Sequence, residues 1–167
     1  MRRPFALTLA VTVAGLLLAL AGLPTPVRAQ TPASPALGAQ TPQPAPSAED
    51  AALLQTFGQG DGLQRLAADF VQRVRADDRT RPFFGPIKPQ HLTRQLADHF
   101  CVVLKGPCLY DGESMKNAHA GLGIARKDFL ATVELLQAAM DGQGIPFGAQ
   151  NQLLARLAPL HRDIISR

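Results

Sequence analysis

Histidine side chains are the groups in this sequence best suited to bind a metal ion, because a neutral imidazole nitrogen is a common metal ligand. The chain has four of them: His91, His99, His119 and His161. His91 and His161 have polar neighbours, which is typical of solvated side chains, whereas His99 directly precedes Phe100 and fits either environment. Helical spacing places His119 on one face with Met115 and Leu122. By itself this pattern is more typical of a buried structural histidine than of a metal ligand.

Two cysteines, Cys101 and Cys108, are the other side chains with distinctive chemistry. The stretch between them ends in Gly106 and Pro107, so in an oxidising compartment they are able to form a disulfide that closes a short loop. The alternative is a pair of buried thiols. Because their spacing is not that of a Cys-x-x-Cys pair, a zinc knuckle is disfavoured.

The first 29 residues have the pattern of a secretory signal peptide. Arg2 and Arg3 form a basic start, residues 5–23 are an uncharged and mainly apolar stretch, and residues 27–29 are suited to cleavage after position 29. The paired arginines also faintly resemble a twin-arginine signal. We therefore predict an exported, periplasmic protein. The alternative is an uncleaved membrane anchor, since a spanning helix needs roughly 20 apolar residues.

Export changes how the charge of the chain is interpreted. Removing Arg2, Arg3 and Arg28 with the signal reduces 17 basic residues to 14, against 13 acidic residues. A nearly neutral domain without a clustered basic face gives no reason to expect nucleic acid as a partner. A membrane is expected as a partner only if the signal stays uncleaved.

Residues 30–47 are rich in proline, alanine, glutamine, threonine and serine. Such a composition buries too little apolar surface to order itself, so we predict a disordered linker. The globular domain is then expected at residues 48–167. Its apolar residues recur at helical spacing with no convincing alternation, which predicts an all-α domain.

Five helices are indicated within this domain. The first is expected over 62–75, with Asp61 as its cap, and the second from Pro89 to the break at Gly106 and Pro107. A short third helix is expected over 113–120. The fourth is expected from residue 127 or 128 to the glycines at 142 and 144, and the fifth from residue 149 onward. Pro159 is expected to kink the last of these helices, because proline removes a backbone hydrogen bond.

The segment around His119 has a further property. Residues 109–124, LYDGESMKNAHAGLGI, followed by Asp128 and Phe129, strongly resemble the group I truncated haemoglobins. The resemblance also includes segments 69–74, 82–84, 106–107 and 157–159, so it covers essentially the whole domain. It implies a two-over-two helical sandwich that encloses a haem, with His119 as the proximal iron ligand.

The same resemblance assigns further residues to the haem pocket. Phe84 would lie flat on the haem, Phe100, Met115, Ile124 and Phe129 would line the apolar pocket, and Tyr110 and Lys116 would hold the propionates. A solvated lysine is the alternative for Lys116. The sequence has no Cys-x-x-Cys-His motif, so the expected cofactor is non-covalent haem b. The two cysteines are also similar to a pair found in a subset of the family.

On the distal side the sequence departs from the family. Val71 stands where many members have a tyrosine. In those members a glutamine on the next helix assists the tyrosine, and at the matching distal positions this chain has Leu92 and Leu96. Gln95 is the nearest polar residue. Because bound oxygen is held in part by a hydrogen-bond donor, this apolar side favours carbon monoxide or nitric oxide.

The resemblance implies a protein that reversibly binds a diatomic gas, namely oxygen, nitric oxide or carbon monoxide. The alternative is a haem enzyme, a nitric oxide dioxygenase or a peroxidase, that uses an external electron donor. The sequence contains no flavin motif or reductase segment. A helical adaptor that has lost haem is the third interpretation, and the joint presence of Phe84, Met115 and His119 disfavours it.

Overall fold

The computed structural model describes residues 46–167, and within this range the chain is helical with no β-strand. Its helices are α1 (Ala48–Thr56), α2 (Gln59–Ala76), α3 (Arg81–Phe84), α4 (Pro89–Val103), α5 (Met115–Ala118), α6 (Arg126–Gly142), α7 (Phe147–Leu157) and α8 (His161–Ile164). The expected all-α fold is confirmed. The predicted signal, and the linker up to residue 45, lie outside the described residues.

Helices α2 and α4 form the most extensive contact of the domain, and α2 also packs on α6 while α4 contacts α7. The apolar stripe predicted for α2 is buried, with Leu66 and Val74 fully inaccessible to solvent. From the other helices, Phe100, Met140 and Leu153 complete the same core. The four longest helices therefore share one hydrophobic centre, as the helical spacing predicts.

The start of α2 differs from the prediction. The helix begins at Gln59, and Asp61 lies inside its first turn instead of capping it. In that position the carboxylate still interacts favourably with the helix dipole. The helix α1 before it was not individually predicted, and it starts with a capping box between Ser47 and Asp50.

The end of α4 also differs in detail. The helix stops at Val103, before Gly106 and Pro107, and Lys105 is the residue that adopts the left-handed conformation, with a φ of 62°. Gly106 N then donates to the Cys101 carbonyl at 2.8 Å. The chain therefore reverses one residue earlier than expected, which brings residue 108 back beside the helix.

A disulfide joins Cys101 on α4 to Cys108 in the following loop, with their Cα atoms 5.9 Å apart. Cys101 is buried in the core and Cys108 is half-buried against it. The disulfide interpretation of the two cysteines therefore holds. It ties the end of α4 to the start of the loop that leads to α5.

The C-terminal helix is interrupted as predicted. Helix α7 ends at Leu157, a 3-10 turn covers Ala158–Leu160, and α8 follows directly. Pro159 occupies this turn, which fits its missing backbone donor. Within residues 46–167, no helix is both long and apolar enough to cross a bilayer.

Reduction of the disulfide is expected to lower the free energy of unfolding by about 2–3 kcal/mol, because the bridge removes conformational entropy from the unfolded chain. Urea unfolding with and without a phosphine reductant measures this change. The Cys101→Ala/Cys108→Ala variant is the control, since the reductant should leave its unfolding unchanged. An equal stability of the wild-type chain in both conditions would contradict the prediction.

Candidate functional site

The domain contains a central cavity of about 780 Å³, so named because side chains from most of its helices line it. Its walls come from α2, α3, α4, α6, α7 and α8 and from the segment between α4 and α6, and most of the wall is apolar. Of the residues predicted from the sequence, the following line it: Phe84, Leu92, Gln95, Leu96, Phe100, Tyr110, Met115, His119, Ile124 and Phe129. Its size is within the usual range of ligand pockets, roughly 300–1,000 Å³.

Two predicted residues do not line this cavity. Lys116 is exposed on α5 and is not part of the wall. Val71 is buried, but it borders a second, open cleft of about 740 Å³ between α2 and the start of α4. Neighbouring Phe70 takes the place in the cavity wall that the sequence interpretation gave to Val71. Side chains of adjacent residues on an α-helix point about 100° apart. Phe70 and Val71 of α2 therefore face different surfaces.

His119 is placed in the cavity wall by the very short helix α5. The Ser114 hydroxyl caps this helix by accepting from Asn117 N at 3.3 Å, and His119 N donates to the Met115 carbonyl at 3.2 Å. The ring Nδ1 also lies 2.7 Å from the Met115 carbonyl oxygen. Because a carbonyl only accepts, Nδ1 must carry the hydrogen. The lone pair of the neutral ring is therefore on Nε2, free to bind a metal ion.

The chain turns sharply after His119. Gly121 and Gly123 have positive φ angles of 74° and 64°. Residues other than glycine rarely adopt such backbone angles. The turn places Ile124 in the cavity wall, and Ser166 N holds it by donating to the Ile124 carbonyl at 3.0 Å. Helix α6 then starts with the Asp128 carboxylate accepting from Ala125 N at 3.0 Å. These bonds join the segment that carries His119 to the start of α6 and to the C-terminal residues after α8.

His99 is a cavity residue whose environment the sequence left open. It is half-buried on α4, and its ring centroid lies 5.2 Å from that of Tyr110. Burial, with a smaller contribution from the charge of His119, lowers the pKa of His99 below its usual value. His99 is therefore a neutral, largely apolar part of the wall at neutral pH.

Tyr110 lines the cavity beside His99 of α4. Its hydroxyl donates to the Glu113 carbonyl at 3.0 Å, so the donor is already used within the loop. Burial and then the nearby charges of Glu113 and Asp111 raise the pKa of Tyr110. The phenol thus stays protonated, and its ring contributes mainly apolar surface.

Gln95 reaches the same loop from α4. Its Nε2 donates to Asp111 Oδ1 at 2.9 Å, while its Oε1 is buried without a hydrogen-bond partner. Gly112 lies directly under this amide, since a Cβ at that position would be 2.1 Å from Gln95 Oε1 and 2.5 Å from the Tyr110 hydroxyl. Any larger residue would require the Gln95 amide or the Tyr110 ring to shift.

The polar part of the cavity wall carries both signs of charge. Arg94 on α4 supplies positive charge and His91 lies beside it, and sequence reasoning selected neither residue. Asp111 and Glu113 contribute carboxylates from the loop. Neither His91 nor Arg94 belongs to an apolar stripe in the sequence, so only the packing of α4 against the loop reveals their place.

The pKa of His99 leads to a prediction for stability. At a pH below the usual histidine pKa of about 6.5, His99 binds a proton more readily in the unfolded chain than in the folded chain. The His99 contribution to stability is therefore complete above pH 6.5 and declines as the pH falls, by no more than about 1.4 kcal/mol per pH unit. Urea unfolding between pH 5 and pH 7.5 should show this decline in the wild type and a smaller one in His99→Phe. Equal pH slopes for the two proteins would contradict it.

Comparisons with known proteins identify the family. The bacterial-like globin family model matches residues 53–166. A group 1 truncated haemoglobin from Mycolicibacterium paratuberculosis is 30% identical over 117 residues, which covers 70% of this chain and 86% of the relative. A group 1 truncated haemoglobin from Tetrahymena pyriformis is 25% identical over 115 residues, which covers 69% of this chain and 95% of the relative.

Solved structures agree with this assignment. The crystal structure of the Tetrahymena pyriformis truncated haemoglobin in its Fe(III) form matches with a TM-score of 0.66 and 25% identity, over 69% of this chain and 98% of that one. The 2/2 haemoglobin from Synechococcus matches over the same shares with a TM-score of 0.63 and 19% identity, which supports the fold alone. The chain therefore belongs to the bacterial-like globin family, among the group 1 truncated haemoglobins with their two-over-two helical fold.

Proposed function

We propose that the central cavity holds haem b without a covalent bond, that His119 Nε2 is the protein ligand of the iron, and that the loaded protein reversibly binds a diatomic gas. Membership of the globin family supports haem-based gas binding in general. The observation that carries the finer proposal is the 2.7 Å contact between His119 Nδ1 and the Met115 carbonyl, which leaves Nε2 free in a cavity wall.

The cavity fits haem in size and in chemistry. A porphyrin is a flat, mostly apolar ring with two carboxylates, and the cavity of about 780 Å³ combines apolar walls with a polar part. Phe84, Phe100 and Phe129 supply aromatic surface for the ring. Arg94 supplies positive charge for the propionates, and the His91 ring offers a nitrogen beside it. With Lys116 outside the wall, these two residues are the better candidates for that role.

When bound, haem iron supplies a coordination position that oxygen, nitric oxide and carbon monoxide can occupy. The bond from His119 Nδ1–H to the Met115 carbonyl fixes the ring tautomer and makes Nε2 a stronger base. The apolar walls would limit the access of water to the iron, which would slow its oxidation. His119 would bind the iron and orient the haem, whereas the surrounding side chains determine the shape of the cavity.

Leu92 and Leu96 form the apolar part of the α4 wall, and the Gln95 amide is bonded to Asp111. His91, Arg94 and His99 also line this wall, so the proposal requires that none of them donates to the gas. A neutral hydrogen-bond donor contributes about 0.5–1.5 kcal/mol, so its absence shortens the lifetime of an oxygen complex. Carbon monoxide and nitric oxide depend less on such a donor. We therefore propose a preference for these two gases.

We also propose that the protein works in an oxidising compartment outside the cytoplasm. The signal pattern of residues 1–29 motivates this proposal, and the Cys101–Cys108 disulfide supports it.

His119→Ala is expected to abolish stable haem binding, because it removes the proposed iron ligand. His161→Ala is a matched control, since the His161 Nδ1 also lies 2.7 Å from a main-chain carbonyl but its ring is exposed and outside the cavity wall. Absorption spectra after titration with haem should show a sharp Soret band for the wild type and for His161→Ala. His119→Ala should lose at least about tenfold in haem affinity.

Two results would contradict the proposal. One is a wild-type chain that stays colourless when folded and supplied with haem, which would favour an adaptor. The other is a His119→Ala variant with wild-type haem affinity and spectrum, which would place the iron ligand elsewhere.

A further inference from the structure

Gln95 is placed on the face of α4 that lines the cavity. It lies three residues after Leu92 and four before His99, and residues at these spacings share one face of a helix. All three line the cavity. Its side chain is therefore anchored among the residues that would face a bound gas, although its amide points to the loop.

The direction of the amide follows from its partner. Donation from Gln95 and the nearby charge of Arg94 lower the pKa of Asp111, so this carboxyl is ionised at neutral pH and only accepts hydrogen bonds. The group that faces Asp111 Oδ1 at 2.9 Å must therefore be the Gln95 NH₂. The Gln95 donor is held at the loop as long as Asp111 is present.

The other half of the amide gains no hydrogen bond from this arrangement. Gln95 Oε1 is buried against Gly112 and has no partner among the described residues. A buried carbonyl without a partner is unfavourable. The side chain is therefore kept in place chiefly by one bond to one exposed carboxylate, and loss of that carboxylate removes the reason for this orientation.

We propose that Asp111 is a positioning residue that sets gas selectivity, because it holds the Gln95 amide at the loop and away from the gas site. This inference rests on the proposed function. Its consequence is that the apolar character of the distal side depends on Asp111 as well as on Leu92 and Leu96. Removal of Asp111 frees the amide to turn into the cavity and to donate to a bound gas.

The test compares the wild type, Asp111→Ala, Gln95→Leu and the double variant Asp111→Ala/Gln95→Leu, all loaded with haem. Asp98→Ala is the control for loss of an acidic residue, since Asp98 is on α4 but outside the cavity wall. Three measurements are made: the oxygen dissociation rate by stopped flow, the C–O stretching band of the carbon monoxide form by infrared spectroscopy, and the side-chain amide resonance of Gln95 by NMR. The resonance is assigned by its absence in Gln95→Leu.

Asp111→Ala is expected to move the Gln95 amide resonance, to slow oxygen dissociation about two- to tenfold, and to add a C–O band at lower frequency. The double variant should return both gas measurements to the values of Gln95→Leu, which is the reference without the amide, and Asp98→Ala should match the wild type. The double variant thus shows whether Asp111 acts through Gln95.

The proposal is overturned if Asp111→Ala leaves the rate and the C–O band unchanged, or if it changes them equally when Gln95 is absent. These outcomes require a protein that binds haem and carbon monoxide, so they leave the proposed function intact. Failure of the wild type to form a carbon monoxide complex at all would instead overturn the proposed function, and this inference with it.

Discussion

An apolar cavity of about 780 Å³ is a severe constraint on a domain of this size. Close packing against a neighbour stabilises apolar side chains in protein interiors. The described chain places five phenylalanines and several leucines around this volume. A flat apolar group of matching size would contact these side chains. We therefore propose that α2, α4, α6 and α7 form a wall around a cofactor, whose binding would stabilise the folded chain.

The segment between α4 and α6 contributes His119, Tyr110 and two carboxylates to that wall, and it has little regular structure of its own. Its only helix, α5, has four residues and depends on the Ser114 cap. The disulfide fixes the start of the segment, while the turn after His119 and the contact of Ser166 with Ile124 fix its end. Rigid attachment at both ends allows a short, irregular segment to position a histidine.

Sequence patterns predicted the long helices because their apolar residues follow a 3.6-residue period, and Leu66, Val74 and Phe100 are buried accordingly. His119 was predictable only through the family resemblance, because one histidine on an apolar face has no distinctive pattern. Helix periodicity was too coarse to decide between Phe70 and Val71 as the wall residue. The bond between Gln95 and Asp111 joins residues 16 positions apart across a loop, and no local rule predicts such a contact.

We propose that His119 binds haem iron through Nε2 while Nδ1 remains bonded to the Met115 carbonyl. The decisive experiment is a crystal structure of the haem-loaded protein. We expect the haem between α4 and α6, the iron bound to His119 Nε2, and Nδ1 still within hydrogen-bonding distance of the Met115 oxygen. If the iron is instead ligated by His91 or His99 alone, or if the haem lies in the open cleft beside Val71, the proposed ligation is wrong.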